Sequence, residues 1–477
     1  MTRVLSVASE CAPLVKTGGL ADVVGALPLA LAALGDEMRT LLPGYRAVMK
    51  QVKTHNPLAK FPTLFGGPAR ILAAKVGALS LLILDAPHLF DRDGGLYATE
   101  DGRDWPDNPE RFAALSYAAA YIARNGAGGW QPEVVHGHDW QAGLTPEYLH
   151  DLMDGHGAVP FVFTIHNIAF QGMTSADRIA ALGLSQARFS ADHFEFWGQI
   201  SALKAALTGA RQITTVSKTY AEELMTPAFG MGMDGVLRAR RADVSGIVNG
   251  IDTDAWDPAT DPLIKPYKTA RGKRANKTAL RKEFGLSKSD GPLCVLISRL
   301  THQKGIDLLL DALPALTWRG GQLALLGSGD TDLEVALLER AAAEPNVAVR
   351  IGYDEALSHR MMAGGDAILV PSRFEPCGLT QLYGLRYGTI PVVAMTGGLA
   401  DTVINASPAA LASRVATGVQ FHPITADGLS NAFTRLCDLY AQPKVWADLG
   451  KNAMKQPVGW DSSAAAYSAL YRQVLSG

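Results

Sequence analysis

The stretch Lys16–Asp22 places a lysine and two adjacent glycines, Gly18 and Gly19, between an apolar run and a helical pattern. Unpaired N–H groups at a helix N-terminus lie at the positive end of the helix dipole and suit an anion. The glycines allow a ligand to approach the backbone, and the lysine adds a full charge. The spacing differs from the fingerprints G-x-x-x-x-G-K-[ST] and G-x-G-x-x-G. The stretch predicts an anion site, with an ordinary strand–helix turn as the alternative.

A second group of anion-binding residues follows later apolar runs. Arg299 and Lys304 lie five residues apart around a strand-to-helix turn, and together they suit a diphosphate. Solvated loop cations are the alternative. Glu375 lies in a loop shaped by proline and glycine, and Gly378–Thr380 can begin a helix there, so this carboxylate is either a cap or a ligand-binding group. Cys377 is interpreted as a small buried side chain, because no histidine lies near it in sequence.

Groups that can hydrogen-bond sugar hydroxyls follow two further runs. They are His136, His138 and Asp139 after one run and His166 after the next. We expect the side chains of His136 and His138 to alternate faces, which disfavours chelation by both, and no zinc spacing is present. Asn249 lies in a turn, where it either reaches a ligand or adopts a left-handed conformation. No metal site is predicted.

The composition is that of a folded protein with more than one domain. Its 477 residues are too many for one core, and 48% are hydrophobic and 19% charged. A net charge of −2 gives no basic footprint for nucleic acid. The most apolar helical pattern, Val23–Leu34, is expected to break at Pro28 and is too short to cross a membrane. Scattered cysteines and the lack of a signal segment predict a cytoplasmic location.

Short apolar runs alternate with helical patterns along the whole chain. This alternation predicts two α/β domains with parallel sheets covered on both faces and ligands at the carboxyl ends of the strands. The proline-containing start of Asp257–Asp290 is interpreted as a linker and its basic part as the first helix of the second domain. The runs predicted as strands are Leu79–Leu84, Val134–Val135, Phe161–Ile165, Ile213–Val216, Leu293–Ile297, Leu323–Leu326, Val347–Ile351, Ala367–Val370 and Ile390–Ala394.

One hexapeptide occurs twice. Thr17-Gly-Gly-Leu-Ala-Asp22 recurs letter for letter at Thr396–Asp401, although the two copies occupy different places in their halves. Simple duplication of a domain is therefore not indicated. We expect each domain to carry a glycine turn at the carboxyl end of a strand. If these edges face one cleft, both turns would meet the same anionic ligand.

Taken together, these motifs resemble bacterial glycogen synthases and plant starch synthases. The resemblance covers both halves in the same order, through Lys16–Asp22, Gly137–Trp140, Ile165–Asn167, Val248–Asp252, Ser298–Leu300, Gln303–Gly305 and Glu375–Thr380. It implies an α/β fold of two Rossmann-like domains facing an interdomain cleft, the GT-B arrangement. Residues 1–250 would form the acceptor and catalytic domain, residues 251–456 the nucleotide-sugar-binding domain, and residues 457–477 a C-terminal helix that crosses back.

The resemblance also implies a reaction. Glucose would pass from ADP-glucose to the non-reducing 4-OH of an α-1,4-glucan, either glycogen or a maltooligosaccharide, with release of ADP and retention of configuration. No cofactor and no metal are implied. The implied catalytic residues are His166, Asp139, Glu375, Arg299 and Lys304, of which the last two stabilise the leaving diphosphate. The implied substrate-binding residues are Lys16, Gly18, Gly19, Asp22, Tyr97, Asn249, Tyr353, Cys377, Gly378, Leu379 and Thr380.

Several alternatives stay open at this point. Retention permits a covalent intermediate on Glu375 or Asp139, or a front-face route in which the leaving phosphate accepts the proton; we favour the second. A related transferase that uses a UDP-sugar is one alternative function, and a non-catalytic glucan-binding protein is another, although cations suited to a diphosphate argue against it. A phosphorylase is disfavoured because no lysine is marked for a pyridoxal Schiff base. A homo-oligomer is left open.

Overall fold

The computed structural model describes residues 1–153 and 159–476. The chain divides into two compact units: unit 1 comprises Met1–Asn249 and the chain from Trp460 onward, and unit 2 comprises Gly250–Gly459. Each unit combines strands with covering helices, as the alternation of apolar runs and helical patterns predicts. Among the helices described, none is both long and apolar enough to cross a membrane.

Unit 1 is built on a sheet ordered β12-β11-β7-β6-β1-β2-β5-β4-β3, with a small antiparallel sheet, β8-β10-β9, beside it. These strands are β1 (Arg3–Val7), β2 (Glu37–Pro43), β3 (Thr54–Leu64), β4 (Gly67–Val76), β5 (Leu79–Asp85), β6 (Val134–His138), β7 (Phe161–Ile165), β8 (Met173–Ser175), β9 (Glu195–Phe196), β10 (Gln199–Ser201), β11 (Gln212–Thr215) and β12 (Val244–Gly246). The parallel sheet that the sequence predicts also has an antiparallel edge, because β4 runs antiparallel to β3 and β5. Phe65 and Gly66, both at positive φ, form the hairpin turn between β3 and β4.

The first eight helices of unit 1 are α1 (Gly19–Ala32), α2 (Arg46–Gln51), α3 (Pro87–Phe90), α4 (Asn108–Asn125), α5 (Thr145–Leu152), α6 (Ala202–Gly209), α7 (Lys218–Glu223) and α8 (Asp234–Ala239). Helix α1 continues through Pro28, so the prediction that this proline breaks the helix is wrong. The proline ring is buried, together with neighbouring apolar residues of α1 such as Leu27 and Leu31. Burial of this face stabilises the helix despite the missing hydrogen bond.

Unit 2 contains a parallel sheet ordered β15-β14-β13-β16-β17-β18. Its strands are β13 (Leu293–Ile297), β14 (Gln322–Gly327), β15 (Val347–Ile351), β16 (Ala367–Val370), β17 (Ile390–Ala394) and β18 (Val419–Phe421). Its helices are α9 (Arg274–Glu283), α10 (Ile306–Thr317), α11 (Thr331–Ala343), α12 (Glu355–Gly364), α13 (Thr380–Tyr387), α14 (Gly397–Thr402), α15 (Pro408–Ala412), α16 (Ala426–Tyr440) and α17 (Pro443–Ala453). The central strands β13, β16 and β17 are almost wholly buried, as their apolar runs predict.

The C-terminal helix α18 (Asp461–Ser476) belongs to unit 1 rather than to the unit that precedes it. It packs against α1, and its Tyr467 and Tyr471 enter a buried cluster with Val4 and Leu27. The Ser468 hydroxyl donates to the buried carboxylate of Asp36. The last helix is therefore part of the core beneath the first strand of the chain.

Candidate functional site

Glu10, just after β1, lies beside the predicted anion site. Its buried carboxylate accepts the backbone N–H groups of Thr17 at 2.5 Å and Gly18 at 3.2 Å. It also accepts the hydroxyls of Thr17 and Tyr97, each at 2.5 Å. The sequence predicts that the Gly18 amide binds an anion. In the structure this amide already donates to the Glu10 carboxylate. The same contacts place Tyr97 at this turn.

Lys16 and Asp22, both predicted to bind the donor, pair with each other. Lys16 Nζ lies 2.7 Å from Asp22 Oδ1, and half of the lysine side chain is exposed. An ion pair this exposed contributes at most about 1 kcal/mol, so a ligand can displace it. Gly18 has extended backbone, and a Cβ built there would meet nothing within 4 Å. The turn therefore leaves open space above Gly18 and a cation within reach.

The second copy of the hexapeptide lies after β17, where a glycine turn is predicted, but its surroundings differ. The Gly398 N–H donates to the carbonyl oxygens of Glu375 and Pro376, each at 3.1 Å. A Cβ on Gly397 would lie 2.1 Å from the carbonyl oxygen of Glu375, and one on Gly398 would lie 2.1 Å from that of Cys377. These glycines are required for close packing against the loop that carries Glu375.

Alanine substitutions are expected to distinguish the two turns. Gly398→Ala forces a side chain into backbone and should lower the free energy of unfolding by about 1–3 kcal/mol, as overpacking does. Gly18→Ala adds a methyl group to open space, so it should lower that free energy by less than about 1 kcal/mol, through the poorer capping of α1 by alanine. Thermal unfolding of both variants measures the difference. Equal losses of stability in the two variants would contradict the distinction.

Asp139 and His166, which directly follow the adjacent strands β6 and β7, are brought together. Asp139 Oδ1 accepts the backbone N–H groups of His166 at 2.7 Å and Asn167 at 3.3 Å. The backbone of Asp139 has φ +55°, a strained conformation for a residue with a side chain. Burial raises the pKa of Asp139 to about 7, against the effect of the two N–H groups, and the charge of Glu10 raises it further. This carboxyl therefore titrates near neutrality.

The raised pKa of Asp139 predicts a pH dependence of stability. Between the ordinary value of 3.8 and the folded value of about 7, the folded state binds the proton and the unfolded state releases it. The contribution of this group to stability is thus present at low pH and is lost as the pH rises through that window. Asp139→Asn is expected to flatten this dependence. Chemical denaturation of both proteins across the window measures it, and parallel curves would contradict the assignment.

The expectation that His136 and His138 alternate faces is wrong. Residues two apart share one face of a strand, and the two ring centroids are 4.2 Å apart on β6. Burial lowers the pKa of His136 to about 3 and that of His138 well below its usual range, so both rings are neutral at pH 7. His138 Nδ1 lies 3.0 Å from His166 Nε2. Within residues 1–153 and 159–476, no three His, Cys, Asp or Glu side chains are grouped so that they could hold a metal ion.

Asn249 and Tyr353 are also predicted to bind the substrate, and the first is buried whereas the second is exposed. Asn249 is 6% exposed, and its Oδ1 has no hydrogen-bond partner in the described part of the chain. A buried oxygen of this kind costs about 1–3 kcal/mol until a hydroxyl or amide reaches it. Tyr353 follows β15 in unit 2, is 77% exposed, and donates to Glu355 Oε2 at 3.4 Å. Its ring is therefore accessible to a planar group.

Lys304 and Glu375 form a largely buried ion pair that joins two loops of unit 2. The Lys304 Nζ lies 2.5 Å from Glu375 Oε2, and the side chains are 18% and 10% exposed. The loops follow β13 and β16, which pair in parallel and therefore end at the same edge of the sheet. The Ser372 hydroxyl donates to the same carboxylate oxygen at 2.9 Å. Two predicted residues are thus brought into direct contact.

Donor groups without protein acceptors lie on the same two loops. Arg299, after β13, is exposed and its guanidinium makes no hydrogen bond or ion pair with the described residues. The N–H groups of Gly378, Leu379 and Thr380, at the start of α13, likewise have no acceptor in those residues. Gly378 has φ +71°, a conformation that favours glycine, and Cys377 before it is buried. Unpaired amides and a guanidinium are the groups that bind phosphate oxygens.

Comparisons with known proteins agree across both units. A profile of the starch synthase catalytic domain matches residues 3–239, and one of glycosyl transferases group 1 matches residues 277–456. The glycogen synthase of Jannaschia sp. (strain CCS1) is 71% identical over 472 residues, which cover 99% of each chain. The glycogen synthase of Paracoccus denitrificans (strain Pd 1222) is 63% identical over 476 residues and 100% of each chain. The chain belongs to the glycogen synthase family.

A solved structure supports the same family assignment. The catalytic domain of starch synthase IV from Arabidopsis thaliana, bound to ADP and acarbose, is similar with a TM-score of 0.89 and 33% identity, and the match covers 100% of each chain. The predicted resemblance to glycogen synthases and the predicted two-domain α/β fold of the GT-B class are confirmed. As a member of the glycogen synthase family, the chain is a glycosyltransferase enzyme.

In this glycogen synthase family member, sequence reasoning missed residues that hold the others in place. Arg373 donates to both carboxylate oxygens of Asp307, at 2.7 and 2.6 Å, and to the carbonyl oxygen of His302 at 2.6 Å. It thereby attaches the Glu375 loop to the loop of Lys304. Arg373 and Glu10 both follow strands at their carboxyl ends, so the rule that found the other residues could have found these two.

Proposed function

We propose that this chain transfers glucose from ADP-glucose to the non-reducing 4-OH of glycogen or a maltooligosaccharide, releasing ADP with retention of configuration. The observation that carries the proposal is the set of donors without protein acceptors at one sheet edge of unit 2, the Arg299 guanidinium and the amides of Gly378–Thr380. Such a set matches the oxygens of a diphosphate. The names of the relatives support it, as does the ADP bound to the related starch synthase.

In unit 2, the proposed task is to stabilise the leaving diphosphate. Arg299 and Lys304 would supply positive charge where negative charge develops, which is the largest electrostatic contribution available to these residues. Glu375, balanced by Lys304, would accept hydrogen bonds from glucose hydroxyls. The Gly378–Thr380 amides would bind the distal phosphate, and Tyr353 would border the base.

In unit 1, the proposed task is to hold the sugar. His166, Asp139 and Asn249 would line the sugar pocket, and the unpartnered Oδ1 of Asn249 would accept a hydroxyl. The turn at the start of α1 would approach the donor phosphates, with its free space above Gly18. The residues proposed to contact the donor from this unit are Lys16, Gly18, Gly19, Asp22 and Tyr97.

We propose a front-face route for the transfer. Glu375 is engaged by Lys304 and Ser372, and Asp139 accepts two backbone N–H groups, so neither carboxylate is poised as a nucleophile. The bond from the anomeric carbon to phosphate would break through an oxocarbenium-like state. The acceptor 4-OH would attack from the same face and give its proton to the leaving phosphate oxygen. A trapped glucosyl ester on Glu375 or Asp139 would overturn this route.

The test of the reaction offers the donors separately. Purified protein is incubated with glycogen and either radiolabelled ADP-glucose or radiolabelled UDP-glucose, each with and without EDTA. Glucan growth from ADP-glucose alone, unchanged by EDTA, supports the proposal. Growth from UDP-glucose alone contradicts the proposed donor. Transfer from neither donor contradicts the proposed reaction.

A further inference from the structure

A row of polar side chains extends through unit 1 from the C-terminal helix to His166. The hydroxyl of Tyr471, on α18, lies 2.7 Å from His136 Nδ1, and His136 Nε2 lies 2.6 Å from Thr164 Oγ1. The His136 ring packs on the His138 ring, whose Nδ1 lies 3.0 Å from His166 Nε2. All of these residues except His166 are fully buried. The row connects a helix of the core to a residue at the carboxyl end of β7.

The roles of the groups on the two sides of His136 are linked. A neutral imidazole has one ring nitrogen that donates and one that accepts. Tyr471 and Thr164, which contact the two ring nitrogens of His136, therefore have opposite roles toward this ring. Thr164 Oγ1 also lies 2.5 Å from Thr214 Oγ1, so the row continues to β11.

One ring nitrogen of His138, Nδ1, lies within hydrogen-bond distance of a partner, which is Nε2 of His166. The Nε2 of His138 has no hydrogen-bond partner among the described residues, and neither does His166 Nδ1. Burial keeps both rings neutral by lowering their pKa values, to about 3 for His166, so each ring carries one N–H and a single proton lies between His138 Nδ1 and His166 Nε2. The tautomer of His138 consequently decides whether His166 presents an N–H or a lone pair at Nδ1.

We propose that His138 is a positioning residue for His166, and that Tyr471 keeps His138 in place through the ring of His136. The inference rests on the sugar-binding role proposed above for His166. It gives the C-terminal helix a part in glucosyl transfer, although no residue of that helix is proposed to touch the substrate.

A matched pair of substitutions tests the step from His138 to His166. Leucine and asparagine side chains have the same number of heavy atoms and the same branch at Cγ, but only asparagine places an amide near the position of Nδ1. His138→Leu is expected to lower kcat by about 10- to 100-fold, as misplacing a reacting group by about 1 Å does, with little change in KM. His138→Asn should recover most of this loss. Equal losses in the two variants would overturn the inference, because packing alone would then explain them.

Tyr471→Phe tests the step from the helix, since it removes only the hydroxyl. Two-bond ¹⁵N–¹H spectra of the full chain, labelled on its 11 histidines, report the ring nitrogens, and His166→Gln identifies the His166 signals. We expect those signals to shift in Tyr471→Phe and in His138→Leu. Unchanged signals in both variants would overturn the inference. Shifted signals together with normal transfer by His166→Gln would support the positioning network and contradict only the role proposed for His166.

Discussion

Lys304→Ala is expected to lower turnover by about 10²–10³-fold, the loss typical of removing one donor that stabilises developing charge. The ammonium group lies 2.5 Å from Glu375 in a largely buried pair. Its removal takes a cation from the proposed diphosphate site and leaves Glu375 without a counter-ion. The measurement is kcat with ADP-glucose and glycogen. A loss below about tenfold would remove Lys304 from the leaving-group role.

Lys277→Ala is the matched control for this experiment. Lys277 Nζ lies 2.6 Å from Asp366 Oδ2, and the two side chains are 15% and 14% exposed. Asp366 directly precedes β16, at the opposite edge of the sheet from Glu375. Both alanine variants leave a largely buried carboxylate without its counter-ion and should lose stability. Turnover per folded molecule should fall only in Lys304→Ala, and equal losses of turnover would contradict a catalytic role.

Arg299→Ala is expected to lower kcat/KM for ADP-glucose by about 10²-fold or more while leaving the unfolding temperature unchanged. The side chain is exposed and has no protein partner in the described residues, so the fold loses nothing with it. The donor would lose a planar pair of N–H groups. Arg299→Lys keeps the charge but not the planar fork, and should recover only part of the activity. Steady-state kinetics and thermal unfolding measure the two effects.

Arg271→Ala provides the comparison for Arg299, because it removes another exposed arginine from unit 2. It should change neither activity nor unfolding temperature. Loss of stability in Arg299→Ala would indicate a structural role instead, and normal activity in that variant would contradict the diphosphate site.

Four strands of unit 2, the edge strand β15 among them, are the part of the fold that residue patterns predict best. Strands β13, β15, β16 and β17 begin and end at the predicted residues, because their apolar runs are bounded by polar turns. Strands β3 and β4 were missed. They form an antiparallel edge in which β4 mixes buried and exposed positions, so no continuous apolar run marks it. The break predicted at Pro28 is wrong because packing outweighs the local preference of proline.

In the candidate site, local patterns predict individual residues but not the contacts between them. Residue type and position after a strand were enough to select Lys304, Glu375, Asp139 and His166. The pairings among them were not predictable, because Lys304 and Glu375 are 71 positions apart and meet only through the order of the strands. Likewise, nothing local shows that Glu10 supplies the anion at the start of α1. The identical hexapeptides have different neighbours: Gly397 and Gly398 pack against backbone, whereas Gly18 faces open space.

The membership of α18 in unit 1 has a consequence for biosynthesis. Its Tyr467 and Tyr471 complete a core that includes Val4 and Leu27, yet the whole of unit 2 is translated between these residues. Unit 2 is continuous in sequence and can fold as it emerges from the ribosome, whereas the N-terminal core waits for the last helix. At roughly 5–20 residues per second this delay lasts on the order of ten seconds or more. During that interval the apolar face of α1 lacks the cover that α18 supplies in the folded chain.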